Sequence, residues 1–269
     1  MSQLKAAWRI VADVTVYRLR KREMGNLVTT VSLAVALALP WTEVAYRAAF
    51  AALLNVFVYL VNDVFDVRID LRAPGRDTAR TRFLADNLRA AWATCVALAV
   101  ALCAMGAAWS LGLLVTAAVN VALIVAYSKV LKHRAVLDLV AMGAWGVSMA
   151  MAGFPLDRAD GWRLVGLLGL LSMVTESVQV LRDEESDRAA GVTTTAVVLG
   201  APTTRRVARG LTVSAALYAA AMIHPAGAVI ALGALVPLRP AEVDRSWDKL
   251  RVLFGVTWLA LLALHRLAG

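Results

Sequence analysis

Residues 62–70 read Asn62-Asp63-Val64-Phe65-Asp66-Val67-Arg68-Ile69-Asp70 and follow directly on the apolar run Ala48 to Val61. Continued as a helix, this stretch puts Asn62, Asp66 and Asp70 on one stripe at four-residue intervals, with Asp63 on the adjoining ridge. Like charges at that spacing repel, and acids at a helix C-terminus oppose the helix dipole. Helix architecture alone therefore does not account for them. A divalent cation does, because magnesium favours a few carboxylate oxygens together with the oxygens of a phosphate group.

A second acidic cluster, Arg182-Asp183-Glu184-Glu185-Ser186-Asp187-Arg188, follows the apolar run Leu167 to Leu181. Asp183 and Asp187 share a face, and Glu184 and Glu185 point away from it. Two carboxylate pairs around one cavity can hold magnesium on either flank of a diphosphate and assist its departure as a Lewis acid.

The rest of the chain explains where such a cavity would lie. Of 269 residues, 60% are hydrophobic and 17% charged, and the mean hydropathy is +0.68. A water-soluble domain would have to expose much of that apolar surface, so the chain is expected in a bilayer. Apolar stretches near spanning length recur with no long polar block between them, which predicts a single membrane domain over 1–269. Met1 to Glu23 lacks the pattern of a cleaved signal, so the first spanning helix is expected to be retained. Cys95 and Cys103 both fall within one apolar run, where neither a disulfide nor a metal site is expected.

Hydropathy predicts spans at 24–42, 45–66, 88–108, 110–127, 136–155, 162–181, 204–223, 225–238 and 250–268, an all-α fold of nine transmembrane helices. With the N-terminus cytoplasmic, 24 of the 28 Lys and Arg fall on inner segments, and four, Arg47, Arg158, Arg163 and Arg266, fall outside. That asymmetry is the positive-inside pattern. It accounts for the formal charge of +9 without invoking nucleic acid. Both acidic clusters then lie at inner helix ends.

The pattern Asn62-Asp63-x-x-Asp66-x-x-x-Asp70 resembles the first motif of the UbiA superfamily of intramembrane prenyltransferases. Asp183-x-x-x-Asp187, followed by Arg188-Ala189-Ala190-Gly191-Val192-x-Thr194, resembles its second. The likeness covers the whole chain. It implies nine helices around a central cavity, with the motifs on loops after the second and sixth. It further implies Mg2+ held by Asn62, Asp63, Asp66, Asp70, Asp183 and Asp187, and an isoprenyl diphosphate substrate. Asp66, Asp70, Asp183 and Asp187 are then the candidate catalytic residues. The composition is compatible with a bacterial inner membrane, with the N-terminus and the site loops cytoplasmic.

A departing diphosphate also needs fixed positive charge. Arg72 and Arg76, with Pro74 between them, are similar to a basic segment that follows the family's first motif. Tyr127 and Lys132 resemble the Tyr and Lys pair that some branches place after the fourth helix, and Arg188 completes the diphosphate-binding candidates. Most other inner basic residues, Arg80 and Arg206 among them, are read as contacts to lipid headgroups. Asp138 and Glu176 are acids within spans, where a charge normally faces a cavity. Glu176 fits the family's second-motif helix. Where many branches continue Glu-x-x-Lys-Asp, this chain has Gln179 and Val180, so that lysine and that carboxylate are missing. The three histidines, His133, His224 and His265, are read as interfacial, and the eight tryptophans, most of them near predicted helix ends, as an interfacial belt.

The expected reaction is ionisation of an allylic diphosphate and transfer of the prenyl group to an aromatic or other lipophilic acceptor, with Asp63 or Asp70 taking the released proton. Two further classes are compatible with such a chain. One is a terpene cyclase of UbiA type, in which the cation is attacked by its own chain. The other is a small-molecule transporter, although transporters place binding acids near the membrane midplane and these crowd one surface.

Overall fold

The computed structural model describes residues 2–21, 23–72, 78–239 and 242–268. These residues form α1 (Gln3–Arg20), α2 (Gly25–Ala36), α3 (Trp41–Asp70), α4 (Ala79–Asp86), α5 (Leu88–Trp109), α6 (Leu111–Lys129), α7 (Leu137–Ala150), α8 (Ala159–Ala190), α9 (Thr195–Met222) and α10 (Val243–Ala268). Short 3-10 segments at Leu131–His133 and Met151–Gly153 and a longer one at Pro225–Leu235 complete them. Each hydropathy-predicted span coincides with a helical element. Five of these elements, over Trp41–Asp70, Leu88–Trp109, Leu111–His133, Ala159–Ala190 and Val243–Leu267, are long and apolar enough to cross a membrane.

The remaining elements depart from simple spans for local reasons. The predicted helix 24–42 is interrupted where Ala38 takes a left-handed conformation (φ 53) two residues before Pro40, which has no N–H to continue the ladder. The predicted span 225–238 is a 3-10 helix over Pro225–Leu235. In α9 the backbone turns at Gly200 (φ 78, ψ 155), just ahead of Pro202. The motif stretches were expected on loops, but α3 and α8 run straight through them, and α8 ends only at Gly191, in the left-handed conformation glycine tolerates. Two helices were not anticipated: α1 precedes the first span, and α4 lies within the segment read as a loop.

Two large apolar cores carry the fold, beside a small third one of Leu139, Val180 and Ala196. One gathers Ile10, Val14, Phe50, Leu54, Val58, Leu102 and Ile124 from α1, α3, α5 and α6. The other gathers Leu33, Leu167, Val174, Ala215, Ile230 and Phe254 from α2, α8, α9, the long 3-10 segment and α10. Helix α7 packs extensively on α8, and glycine sets how closely. A Cβ at Gly146 would lie 2.2 Å from Ser172 Oγ and 2.7 Å from the Leu168 carbonyl oxygen.

The broken helices leave carbonyls at one end of the bundle, and three arginines expected outside satisfy them. Arg47 is buried, donates to the carbonyls of Ala152 and Phe154 at 3.0 Å, and pairs with Glu43 at 2.7 Å. Arg158 donates to the Leu37 carbonyl at 3.0 Å, and Arg266 to that of Val35. These contacts tie α2 and α3 to the segment after α7 and to α10 through groups a bilayer would otherwise leave unsatisfied.

Candidate active site

Helical periodicity builds one cavity from several elements. On α3, Tyr59, Asn62, Asp66 and Asp70 recur every three or four residues, and together with Ile69 they line it. On α8 the same spacing brings Ser172, Thr175, Glu176, Gln179, Asp183 and Asp187 to the cavity. Tyr127 and Lys132 come from α6 and the turn after it, Met142 and Trp145 from α7, and Trp247 and Arg251 from α10. The cavity measures about 480 Å³.

The polar groups are already organised. Asn62 Nδ2 donates to Asp66 Oδ2 at 3.0 Å, and Ser128 Oγ donates to Asn62 Oδ1 at 3.4 Å. The Lys132 ammonium donates to Asp66 Oδ1. Asp183 is held by the Arg182 guanidinium at 2.9 Å, and Thr194 Oγ1 donates to Asp187 Oδ2 at 3.2 Å. Glu184 instead pairs with Arg188 at 2.7 Å, and neither it nor Glu185 lines the cavity. Deeper along α8, Glu176 is 7% exposed, and Tyr127 donates its hydroxyl to Glu176 Oε1 at 3.4 Å.

Asn62, Asp66, Asp70, Asp183 and Asp187 offer hard oxygen donors only, which suits magnesium. Among the described residues no three Asp, Glu, His or Cys converge into a ready-made metal cage. One oxygen of Asp66 is already occupied by the Lys132 ammonium.

Other sequence expectations find different surroundings. Asp63, read as a metal ligand, is 6% exposed and does not line the cavity. Its two oxygens accept from Arg18 Nη2 at 2.6 Å and Arg80 Nη1 at 2.7 Å. Arg80 is thus a partner of the first motif, not a headgroup contact. Burial works to lower the pKa of Arg18, but the Asp63 and Glu23 carboxylates outweigh it, and the net displacement is upward. The Arg18 guanidinium also lies 4.1 Å from the Tyr59 ring centroid. Asp138, read as a cavity acid, is 1% exposed but accepts from the backbone N–H of Thr195 at 2.7 Å and from its hydroxyl. It therefore fastens the start of α7 to the start of α9. Arg72 and Arg188 are exposed and do not line the cavity, and Arg76 lies outside the described residues.

Some cavity groups went unrecognised in the sequence: Arg18, Glu23, Asn26, Trp247 and Arg251. For Arg18 a signal was present, since Ala6, Ile10 and Val14 are the buried residues of α1 and Arg18 is the next step at that four-residue interval. His133, Trp145 and Trp247, assigned to the interface, line the cavity instead.

A helical membrane protein with two acidic helix faces around one cavity defines a class, and similarity to known proteins names it. The chain belongs to the UbiA prenyltransferase family, whose model matches residues 26–243. A relative, the lycopene elongase/hydratase of Haloferax volcanii, is 30% identical over 220 residues, which cover 76% of this chain and 70% of the relative. The fold is shared with a UbiA homolog from Archaeoglobus fulgidus solved bound to DMAPP and Mg2+, at TM-score 0.66 and 16% identity over 90% of this chain and 97% of that one. A digeranylgeranylglyceryl phosphate synthase structure matches at TM-score 0.68 and 15% identity over 98% of each chain.

Proposed function

We propose that this chain is a magnesium-dependent prenyltransferase that ionises an isoprenyl diphosphate at the acidic end of the cavity and transfers the prenyl group to a lipophilic acceptor. The observation that carries this reading is the meeting of the Asn62, Asp66, Asp70 stripe and the Asp183, Asp187 pair around one cavity, with Tyr127 and Lys132 beside them. Two negatively charged faces would repel a diphosphate unless divalent metal came between them. Magnesium, when bound, would neutralise the diphosphate and ease its departure as a Lewis acid.

The chain's own residues supply the remainder. Lys132 and Arg251 place positive charge beside the leaving group, and Arg18 adds a third cation, while Tyr127, read from the sequence as a diphosphate contact, donates its hydroxyl to Glu176 instead. Trp145, Met142 and Tyr59 offer an apolar wall that keeps water from an allylic cation. Asp63 serves to hold the first motif in place and leaves the metal to its neighbours.

The likeness to a lycopene elongase/hydratase makes an isoprenoid polyene the first acceptor to try. The purified protein, given magnesium and dimethylallyl, geranyl or geranylgeranyl diphosphate, should release diphosphate only when an acceptor such as lycopene or a membrane quinol precursor is supplied. Release without acceptor, together with a cyclic hydrocarbon product, would replace transfer by cyclisation. No release under any of these conditions would remove the enzymatic reading.

We further propose that the acidic end of the bundle faces the cytoplasm, because 24 of 28 basic residues fall on the segments that the predicted spans assign to the same side as the two motifs. Thr203→Cys and Asp244→Cys, in a Cys95→Ala, Cys103→Ala background, should resist an impermeant maleimide in intact cells and react in inverted vesicles. Labelling from outside would reverse the orientation.

A further inference from the structure

We propose that Glu176 is the catalytic base that takes the acceptor's proton once the new carbon–carbon bond has formed; this rests on the prenyl-transfer reading above. Six carboxylates line the cavity, and they differ in company. Glu23 is paired with Arg18, Asp66 with Lys132 and Asp183 with Arg182. Asp70 and Asp187 belong to the stripes proposed for magnesium. A carboxylate already neutralised by a guanidinium, an ammonium or a metal has little left with which to hold a proton. Glu176 differs, because among the described residues its side-chain contact is the neutral Tyr127 hydroxyl and it forms no salt bridge.

Its depth matches the chemistry. Glu176 lies seven residues before Asp183 on the same face of α8, about 10 Å of helix rise from it toward the middle of the membrane. In the reaction, the allylic C–O bond breaks and both electrons leave on the diphosphate. The acceptor's π pair forms the new C–C bond, which moves the positive charge onto the acceptor, away from the acidic end. Loss of a C–H proton to the Glu176 carboxylate returns that electron pair to a C=C bond. The proton then passes to the departing diphosphate, so charge and atoms balance. Tyr127, which lines the same cavity and donates to Oε1, orients the carboxylate. Neither Asp63 nor Asp70 is suited to this proton transfer, since Asp63 does not line the cavity and is held by Arg18 and Arg80, and Asp70 sits a full stripe away at the acidic end.

Ionisation and proton removal can be read separately. Dimethylallyl diphosphate carrying 18O in the bridging position scrambles its label when the C–O bond breaks and re-forms, whether or not a product follows. With magnesium and the acceptor returned by the screen above, Glu176→Gln is expected to keep label scrambling within a few-fold of wild type and to lose about a hundredfold in coupled product. Glu176→Asp should recover part of that loss. Retained scrambling also reports a folded site. Wild-type rates of product formation in Glu176→Gln would overturn the assignment and leave the diphosphate as the base. Loss of scrambling together with product would overturn it too, since Glu176 would then act on ionisation or on the fold. Wild-type protein that neither scrambles nor transfers would remove the prenyl-transfer reading itself, and this assignment with it.

Discussion

Asp66→Asn and Asp187→Asn should each lower magnesium-dependent turnover by roughly a hundred- to a thousandfold while changing the apparent affinity for a long prenyl diphosphate far less. Each substitution removes one charged oxygen donor from the cavity and leaves side-chain volume unchanged. The apolar tail would still partition into the cavity, so the loss should appear in kcat, where charge developing on the leaving group must be stabilised. Asp66 has a second duty, since it also accepts from Lys132. The asparagine there would loosen a cation as well as a metal position, and its loss should be the larger of the two. Steady-state turnover against magnesium concentration, in detergent-purified protein, measures both variants. Arg206→Gln, on the exposed surface of α9, serves as the control and should cost little. Near-normal magnesium-dependent turnover in the two aspartate variants would sink the assignment and move the site elsewhere.

The sequence made the stripes legible because helical periodicity is a local property. Asn62, Asp66 and Asp70, like Asp183 and Asp187, could be placed on common faces by counting residues, and the cavity is lined by those faces. Spans were legible for the same reason, whereas the break before Pro40 and the kink at Gly200 ahead of the span 204–223 appeared only in the structure. What the sequence hid was partnership at long range. Asp63 looked like a ligand because its neighbours do, and nothing within ten residues reveals that Arg18, 45 positions earlier, reaches it. Asp138 misled in the same way: an acid inside an apolar run implies a polar partner but does not say whether that partner is a cavity or a helix N-terminus 57 residues away. Arg72 and Arg188 failed for the opposite reason. Closeness in sequence to a motif residue does not fix the direction of a side chain, and on a helix the next residue points about 100° away. Arg188, directly after Asp187, pairs with Glu184 on the exposed side instead.

Asp63→Asn should destabilise the protein by about 3–5 kcal/mol, the usual cost of removing one partner from a buried ion pair, and should leave the magnesium requirement of the folded fraction unchanged. The side chains of Asp63 and Arg18 are 7% and 14% exposed, so the asparagine would strand a guanidinium with little water to replace its partner. Glu23 still contacts Arg18 at 2.6 Å, which limits the loss without cancelling it, because Arg80 loses the same partner. Three elements depend on this one carboxylate: α1 through Arg18, the motif end of α3 through Asp63 itself, and α4 through Arg80. Their separation would let the start of the chain leave the cavity, taking Arg18 from the proposed diphosphate site. Thermal unfolding in detergent should therefore show a lowered midpoint in Asp63→Asn, and a smaller drop in Arg80→Gln, whose side chain is 26% exposed and less dependent on the pair. A metal ligand would behave in the opposite sense, with the midpoint nearly preserved and the magnesium concentration for half-maximal turnover raised many-fold. That result would return Asp63 to the metal site and leave its two arginines as bystanders.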